Sequence, residues 1–330
     1  SRPRSPWQLL YGAALNLRRA AWAHRAQHLA RPVISIGNLH WGGGGKTPMV
    51  AAVAAWLSDR GLRPAILSRG YGGRGRGVRV VSSGDGPLLG PLVAGDEPVL
   101  LAGMLPGVAV IVAPDRAQAG RHALERLDPK PGIFVLDDGF SHLRLFRDLD
   151  LLVFPAADPF AGGRLLPSGR LREPLASAAR ADAILLSGAE HREPGAQLTA
   201  ILRGFGFQGP GFVSHSAVGP ARLDANHFLP SRTRVVAVAG IARPEPFFAS
   251  VRGQGCDVAS TLTFPDHHSY PAESLVRIQS ALAEHGAVAV LTTSKDRVKL
   301  EGRLEVPLVM FGYFQLQAAA IVLFSLPFLA

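Results

Sequence analysis

The feature that most constrains the fold of this chain is a run of four glycines followed by Lys46 and Thr47. The run follows the apolar segment RPVISIG, which predicts a buried β-strand, and precedes TPMVAAVAAWLSDRG, which predicts a helix. Glycines at such a turn let backbone N–H groups surround phosphates, while the lysine charge and threonine hydroxyl suit phosphate and Mg²⁺. The sequence therefore predicts a site for ATP and Mg²⁺ at Gly42, Gly43, Gly44, Gly45, Lys46 and Thr47.

This loop departs from the usual GxxxxGK[ST] spacing, because His40 occupies the position of the first glycine. It is closer to the GGxGKT form of ATPases that have an additional lysine before the first glycine, but Trp41 occupies that position. A glycine-rich turn of purely structural origin is the competing interpretation. The flanking strand and helix argue against it.

Apolar runs of strand length alternate with helical or loop segments along the chain, and a second alternation follows a cluster of Gly and Pro at residues 204–211. This pattern predicts an α/β fold, with a P-loop NTPase-like, mostly parallel sheet and a smaller second α/β domain. We expect an N-terminal helix in residues 1–30, a P-loop domain in 31–205, and a second domain in 206–330 that completes a cleft. The strands predicted for the P-loop domain after RPVISIG are PAILS, VAVIVA, GIFVLDD, LDLLVF and ADAILLS.

Two adjacent carboxylates, Asp137 and Asp138, end the apolar segment GIFVLDD. Carboxylates at the end of a strand beside a P-loop can hold Mg²⁺, directly or through water. They can also cap the next helix, but a P-loop in the same sheet favours the metal. His142 follows in the same loop, where a histidine is more often a surface residue than a catalytic one.

Asp96 and Glu97 lie in the segment AGDEP. A carboxylate in such a loop can accept or orient the proton of a hydroxyl group that receives a phosphoryl group. The letters GDEP also form a good turn and helix start. From these residues alone, the structural interpretation is the stronger one.

The second half contains two clusters with possible chemistry. FPDHHSY places His267 beside Asp266, and TTSKDRVK contains Lys295 and Lys299. A histidine beside a carboxylate can hold a base in the required charge state, and lysines can bind anionic groups. Neither cluster has the spacing of a zinc site. SKD resembles the guanine-reading NKxD element with the wrong spacing, which argues against a GTPase.

The charge balance, 35 Lys and Arg against 25 Asp and Glu, predicts attraction to an anionic partner: nucleic acid, nucleotide or acidic lipid. The only cysteine, Cys256, has no partner for an internal disulfide, which favours a reduced cytosolic setting. The RGYGGRGRG segment resembles RNA-binding sequences, but one such stretch between strands favours a phosphate-facing or substrate-facing loop. We therefore expect no nucleic-acid partner.

Both ends of the chain suggest a membrane. The N-terminal segment predicts a helix on an anionic membrane surface, with a packed helix exposing a basic face as the alternative. VPLVMF predicts a closing strand, and the uncharged residues from Tyr313 are long enough to span a bilayer, dip into it or form a buried helix. Arg18 and Arg25 lie on a different face of this predicted helix from the apolar residues. The apolar residues recur at helical spacing and are Trp7, Leu10, Ala14, Leu17 and Ala21.

Taken together, these motifs resemble the tetraacyldisaccharide 4′-kinase family of lipid A biosynthesis. The resemblance implies a peripheral enzyme on the cytoplasmic face of the bacterial inner membrane, with two α/β lobes and the site between them. It implies transfer of the ATP γ-phosphoryl group to the 4′-hydroxyl of a tetraacylated glucosamine disaccharide 1-phosphate, and no obligate protein partner. The segments that carry it are RPVISIGNLHWGGGGKTP, LSRGYGG, AGDEP, VLDDGFSH, LLPSGRLREP, VAGIARPEPFF, FPDHHSY and TTSKDRVK.

The resemblance also implies roles for individual residues. Lys46 and Thr47 serve the nucleotide and Mg²⁺, and Asp137 and Asp138 serve the metal. Asp96 becomes the general base, supported by His267, with Glu97 assisting at the metal or substrate. The implied substrate contacts are Arg69, Tyr71, His142, Arg172 and Lys295.

Two positions depart from the family pattern. Ser141 stands where the family usually has Gln, and Ser294 stands where it usually has an acidic residue. Details of substrate binding are therefore expected to differ at these positions.

Two other functions compete with this one. A P-loop switch ATPase acting on a protein partner would hydrolyse ATP without an acceptor and form a nucleotide-dependent dimer, but the missing lysine at Trp41 counts against it. A nucleic-acid-binding protein would show steeply salt-dependent affinity, but only the net charge and the RG segment favour it.

Overall fold

The chain forms two β-sheets covered by helices, as seen in a computed structural model. The structure describes residues 6–22, 24–41, 45–189, 191, 193–214, 218–222, 227–253 and 255–313. We call the eight-stranded sheet with its helices the large lobe, and the five-stranded sheet with its helices the small lobe.

The large sheet has the strand order β3-β4-β2-β5-β1-β6-β7-β8. Neighbouring strands are parallel, except that β3 runs antiparallel to β4 at the edge. Its central strands consist of buried apolar residues, as expected for a parallel sheet covered on both faces. The strands are β1 Val33–Gly37, β2 Pro64–Ser68, β3 Arg79–Ser82, β4 Ala109–Val112, β5 Ile133–Asp137, β6 Leu149–Pro155, β7 Ala183–Ser187 and β8 Gly211–Ser214.

Helices cover both faces of this sheet because alternate strand residues point to opposite sides. Ile34 and Ile36 of β1 share a core with the second and fourth helices, whereas Val33 shares a core with the fifth. Two short 3₁₀ segments, Ala161–Gly163 and Leu175–Arg180, lie between β6 and β7. The helices of this lobe are α1 Pro6–Trp22, α2 Lys46–Ser58, α3 Pro91–Ala94, α4 Asp96–Met104, α5 Arg116–Arg126 and α6 Glu193–Arg203.

The small sheet has the order β11-β10-β12-β13-β9, with β9 antiparallel to β13 and the other pairs parallel. Its strands are β9 Val218–Arg222, β10 Arg234–Ala239, β11 Asp257–Thr263, β12 Ala289–Thr292 and β13 Leu308–Tyr313. Its helices are α7 Glu245–Gly253, α8 Ala272–His285 and α9 Ser294–Leu300.

The predicted fold class is confirmed, and the six strands predicted around the P-loop are β1, β2, β4, β5, β6 and β7. One assignment needs correction. The segment GFVS, expected in the second domain, forms β8 and pairs with β7 in the large sheet. The large sheet therefore extends past residue 205, the predicted domain boundary, because β8 continues the sheet beside β7 and its Val213 packs, partly buried, against a core that includes Leu198 of α6 and Ile184 of β7. The four-residue edge strand β3 was not predicted from the sequence.

Within the described ranges, no helix has the length and apolar character needed to cross a membrane. The apolar segment after Tyr313, for which the sequence leaves a membrane span open, lies outside the described residues.

Candidate active site

The loop after β1 and the start of α2 hold the first part of the site. Asn38, fully buried, accepts hydrogen bonds on Oδ1 from Lys46 Nζ at 3.1 Å and from Arg172 Nη2 at 2.6 Å. Gly45 has φ 76°, and a Cβ there would lie 2.6 Å from Ser187 Oγ, so this position requires glycine. Thr47 is half-buried in the first turn of α2, and Gly42–Gly44 lie outside the described residues.

Asp138, which follows β5, is held by cations. Arg172 donates to both of its carboxylate oxygens, at 2.8 and 2.6 Å, and Lys46 Nζ lies 3.5 Å from Oδ1. Burial disfavours the charged carboxylate, but the Arg172 hydrogen bonds and the Lys46 charge hold its pKa well below its usual range. Asp138 is therefore an anion fixed beside the lysine of the P-loop.

Asp137, the last residue of β5, lacks such compensation. Its Oδ2 accepts a hydrogen bond from Ser68 Oγ at 2.8 Å, but its buried Oδ1 has no hydrogen-bond partner. Burial, followed by repulsion from Glu97 and Asp138, raises its pKa to about 6. This arrangement of unsatisfied negative charge fits a divalent cation.

Mg²⁺ in particular suits this donor set. In the described part of the chain, no three or more His, Cys, Asp or Glu side chains are grouped so that they could hold a metal. Mg²⁺ does not require such a cage, because it commonly takes one or two carboxylates together with waters and phosphate oxygens.

The start of α4 connects the two lobes. His267 Nδ1 lies 3.1 Å from Asp96 Oδ2, and because an ionised carboxylate only accepts, the imidazole donates. Lys299 Nζ donates to the same oxygen at 3.1 Å. Beside them, Lys295 Nζ donates to Glu97 Oε1 at 2.5 Å. The motifs AGDEP, FPDHHSY and TTSKDRVK thus meet at one place.

These contacts set the charges of the pair. For Asp96, burial raises the pKa, but the His267 hydrogen bond and Lys299 outweigh it and lower the pKa. For His267, the hydrogen bond to Asp96 is the largest effect and raises the pKa against burial. Asp96 is consequently ionised near neutral pH, with a nitrogen donor directed at it.

The five predicted substrate residues divide into three kinds. Arg172 and Lys295 are engaged by Asp138 and Glu97, so they organise the site itself. Arg69 and Tyr71, in the loop after β2, are exposed, and the Tyr71 ring lies edge-on to His267 with centroids 5.5 Å apart. For His142, burial and then the charge of Arg116 lower the pKa to about 3, so this imidazole is neutral.

Two residues of the site, Asn38 and Glu173, were not predicted from the sequence, and Lys299 was predicted only as a lysine that can bind anionic groups. Asn38 could have been found from the sequence, because it is a polar residue between a buried strand and the glycine run. Lys299 is one of few lysines in an arginine-rich chain. Glu173, in the GRLREP segment, accepts hydrogen bonds from Ser141 Oγ at 2.7 Å and from Arg180 at 2.6 Å, and it also binds Arg19 of α1.

The strand-to-helix turn at Lys46 and the carboxylates at the end of the adjacent β5 define the large lobe as a P-loop NTPase-like domain. A family model described as tetraacyldisaccharide-1-P 4′-kinase matches residues 3–321. The chain belongs to this family.

Individual relatives agree with this assignment. A tetraacyldisaccharide 4′-kinase of Geobacter sulfurreducens is 43% identical over 303 residues, covering 89% of this chain and 83% of the relative. One from Anaeromyxobacter dehalogenans is 44% identical over 306 residues, covering 89% and 80%. The crystal structure of an "apo" form of LpxK from Aquifex aeolicus in complex with ATP matches with a TM-score of 0.73 and 33% identity, covering 93% of this chain and 92% of that one.

The pKa of Asp137 leads to a stability prediction for the protein without metal or nucleotide. Asp137→Asn is expected to increase the free energy of unfolding at pH 7.5 by roughly 1–3 kcal/mol, because folding places an uncompensated charge there. The folded carboxylate titrates at about 6 and the unfolded one near about 4. The gain is therefore full above the folded pKa and vanishes once the pH falls below the unfolded pKa.

Urea unfolding of wild type and variant at pH 4 and pH 7.5 measures this difference. Asp85→Asn, at an exposed carboxylate of the same lobe, is the control and should change stability equally little at both pH values. Equal stability of Asp137→Asn and wild type at pH 7.5 would contradict the raised pKa of Asp137 in the folded protein.

Proposed function

We propose that this chain is a kinase that transfers the γ-phosphoryl group of ATP to the 4′-hydroxyl of a tetraacylated glucosamine disaccharide 1-phosphate. The product is lipid IVA, in lipid A biosynthesis. The observation that carries the proposal is the pairing of Asp96 with His267, next to Glu97, whose carboxylate feels the charge of the P-loop lysine, in a chain of this kinase family. Membership of this family does not favour the alternative of a switch ATPase acting on a protein partner.

The nucleotide side of the site is assigned to the large lobe. Lys46 would neutralise the β- and γ-phosphates as a compact charge, and its contacts with Asn38 and Asp138 hold its ammonium in place. Thr47, Asp137 and Asp138 would hold Mg²⁺, which neutralises charge on the phosphate oxygens.

The acceptor side is assigned to Asp96. The 4′-oxygen bonds to the γ-phosphorus, the bond from that phosphorus to the β–γ bridging oxygen breaks, and Asp96 accepts the hydroxyl proton. The lowered pKa of Asp96 keeps it ionised for this task, and His267 supports it by donating to Oδ2. His142, whose pKa is about 3, is excluded as a proton donor near neutral pH.

The glycolipid is assigned to the exposed loop after β2. Arg69 is exposed and suits an anionic headgroup, and Tyr71 lies beside His267, so a sugar placed at Asp96 would meet the Tyr71 ring. Glu97 is assigned a supporting role, because its ion pair with Lys295 holds the small lobe against α4.

The helix α1 supports a peripheral location on the cytoplasmic face of the inner membrane. One side of α1 is attached to the large lobe, through Tyr11 Oη to the Arg172 carbonyl at 2.9 Å and Arg19 to Glu173 at 2.7 Å. Its apolar residues Trp7, Leu10 and Leu17 are exposed by 68%, 61% and 72%. An apolar stripe directed away from the protein, near basic residues, suits an anionic membrane surface.

The reaction is tested by transfer of labelled γ-phosphate from ATP to a tetraacyl disaccharide 1-phosphate in detergent. Wild type is expected to yield labelled lipid and Lys46→Ala to lose at least about 100-fold in rate, since the phosphates lose their point charge. Lys130→Ala, at an exposed lysine, is the matched control and should retain wild-type activity. ATP hydrolysis without labelled lipid would instead support the switch ATPase.

The role of Asp96 is tested by separating turnover from nucleotide binding. Asp96→Asn is expected to lower kcat by about 100-fold or more while changing the affinity for ATP less than about twofold, because a base acts on the acceptor. The measurement is kcat from lipid phosphorylation and the dissociation constant of ATP from calorimetry. Equal losses of turnover and ATP affinity would exclude Asp96 as the base.

The membrane assignment of α1 is tested by flotation with vesicles containing anionic phospholipid. Leu17→Asp is expected to weaken binding by about tenfold or more, because it removes an exposed apolar side chain that would enter the membrane and adds repulsion from the anionic lipid. Val276→Asp, on an exposed face of α8, introduces the same charge and should leave binding unchanged. Unchanged binding of Leu17→Asp would refute this role of α1.

A further inference from the structure

Lys299 of α9 is a buried lysine between carboxylates of the two lobes. Its side chain is only 6% exposed, and its ammonium lies 3.1 Å from Asp96 Oδ2 and 3.2 Å from Asp296 Oδ1. The ring of Tyr270 lies below it, with the ammonium 5.6 Å from the ring centroid. A lysine is almost never buried in this way unless it is paired.

The small lobe holds this lysine in a fixed place. Asp296 is fully buried, and its Oδ2 accepts hydrogen bonds from the Gly240 amide at 2.8 Å and from Thr293 Oγ1 at 2.7 Å. Thr293 also caps α9, because its hydroxyl accepts from the Asp296 amide. Asp296 is therefore an anchored anion one helical turn before Lys299.

The hydrogen bond of Lys299 goes to Asp96. The ammonium lies 3.2 Å from Asp296 Oδ1 and forms an ion pair with it. Asp96 Oδ2, by contrast, accepts from both Lys299 and His267. The two donors occupy the same oxygen, so neither occupies Oδ1 of this carboxylate.

We propose that Lys299 is a positioning residue for phosphoryl transfer, one that fixes the Asp96 carboxylate through Oδ2 and thereby leaves Oδ1 to the acceptor hydroxyl. His267 alone would hold the carboxylate by a single hydrogen bond, about which it can turn. Two donors from separate elements of the small lobe remove that freedom. The inference rests on the proposed role of Asp96 and adds the group that orients it.

The first test separates turnover from nucleotide binding. Lys299→Met, similar in length and uncharged, is expected to lower kcat about 10- to 100-fold with the KM for ATP within about twofold of wild type. Lys299→Arg restores a donor and should recover part of the loss. Lys299→Met leaves the buried carboxylate of Asp296 without its cation, which can destabilise the protein. The double variant Lys299→Met/Asp296→Asn removes both charges and should show the same loss of kcat in a stable protein.

A double-mutant cycle decides whether Lys299 acts through Asp96. In an Asp96→Asn background, replacing Lys299 by Met should lower kcat by less than about threefold, since the group that it orients is already disabled. If the loss of kcat in the double variant equals the product of the losses in the two single variants, Lys299 acts independently of Asp96 and the inference is overturned.

A readout without catalysis distinguishes this inference from the proposed function. In protein labelled with ¹⁵N-histidine, the imidazole signals of His267, assigned with a His267→Asn variant, should shift in Lys299→Met/Asp296→Asn. The signals of His28, which stacks on Phe146 in the large lobe, should not shift. If wild type leaves the glycolipid unlabelled, the proposed function fails but this comparison still applies. Unshifted His267 signals would overturn the role of Lys299.

Discussion

The ion pairs at the start of α4 are the interaction on which the site depends. Asp96 and Glu97 belong to the large lobe, whereas His267, Lys295 and Lys299 belong to the small one. The residues that dock the lobes are therefore those assigned to the chemistry. Because these groups are largely buried, separation of the lobes would leave charges unpaired, and assembly of the site is coupled to the contact between the lobes.

The neighbouring carboxylates at the end of β5 show how environment divides two identical groups. Asp138 receives both arms of Arg172 and stays ionised, whereas Asp137 faces Glu97 and Asp138 with an unpartnered oxygen. Asp138 thus also organises the P-loop lysine, whereas Asp137 has an oxygen left unpaired. Opposite pKa shifts in adjacent groups are a common property of functional sites.

The helix α1 connects the surface proposed for membrane binding with the site. Arg19 binds Glu173, which also accepts from Ser141 in the loop after Asp138. The residue before Glu173, Arg172, holds Asp138 and accepts a hydrogen bond from Tyr11 of α1 on its carbonyl oxygen. Ser141 thus serves as a link between α1 and the carboxylate loop.

The sequence by itself determined the P-loop strand and helix, because hydrophobic pattern and glycine content act over a few neighbouring residues. It also determined the candidate carboxylates, since strand ends are readable locally. The tertiary structure alone decided that β8 joins the large sheet, that Arg172 pairs with Asp138, and that Lys299 reaches Asp96. Asp96 and Lys299 are 203 positions apart, so no spacing encodes their contact. Burial and charge pairing across the lobes, which depend on the complete fold, set the partners of both.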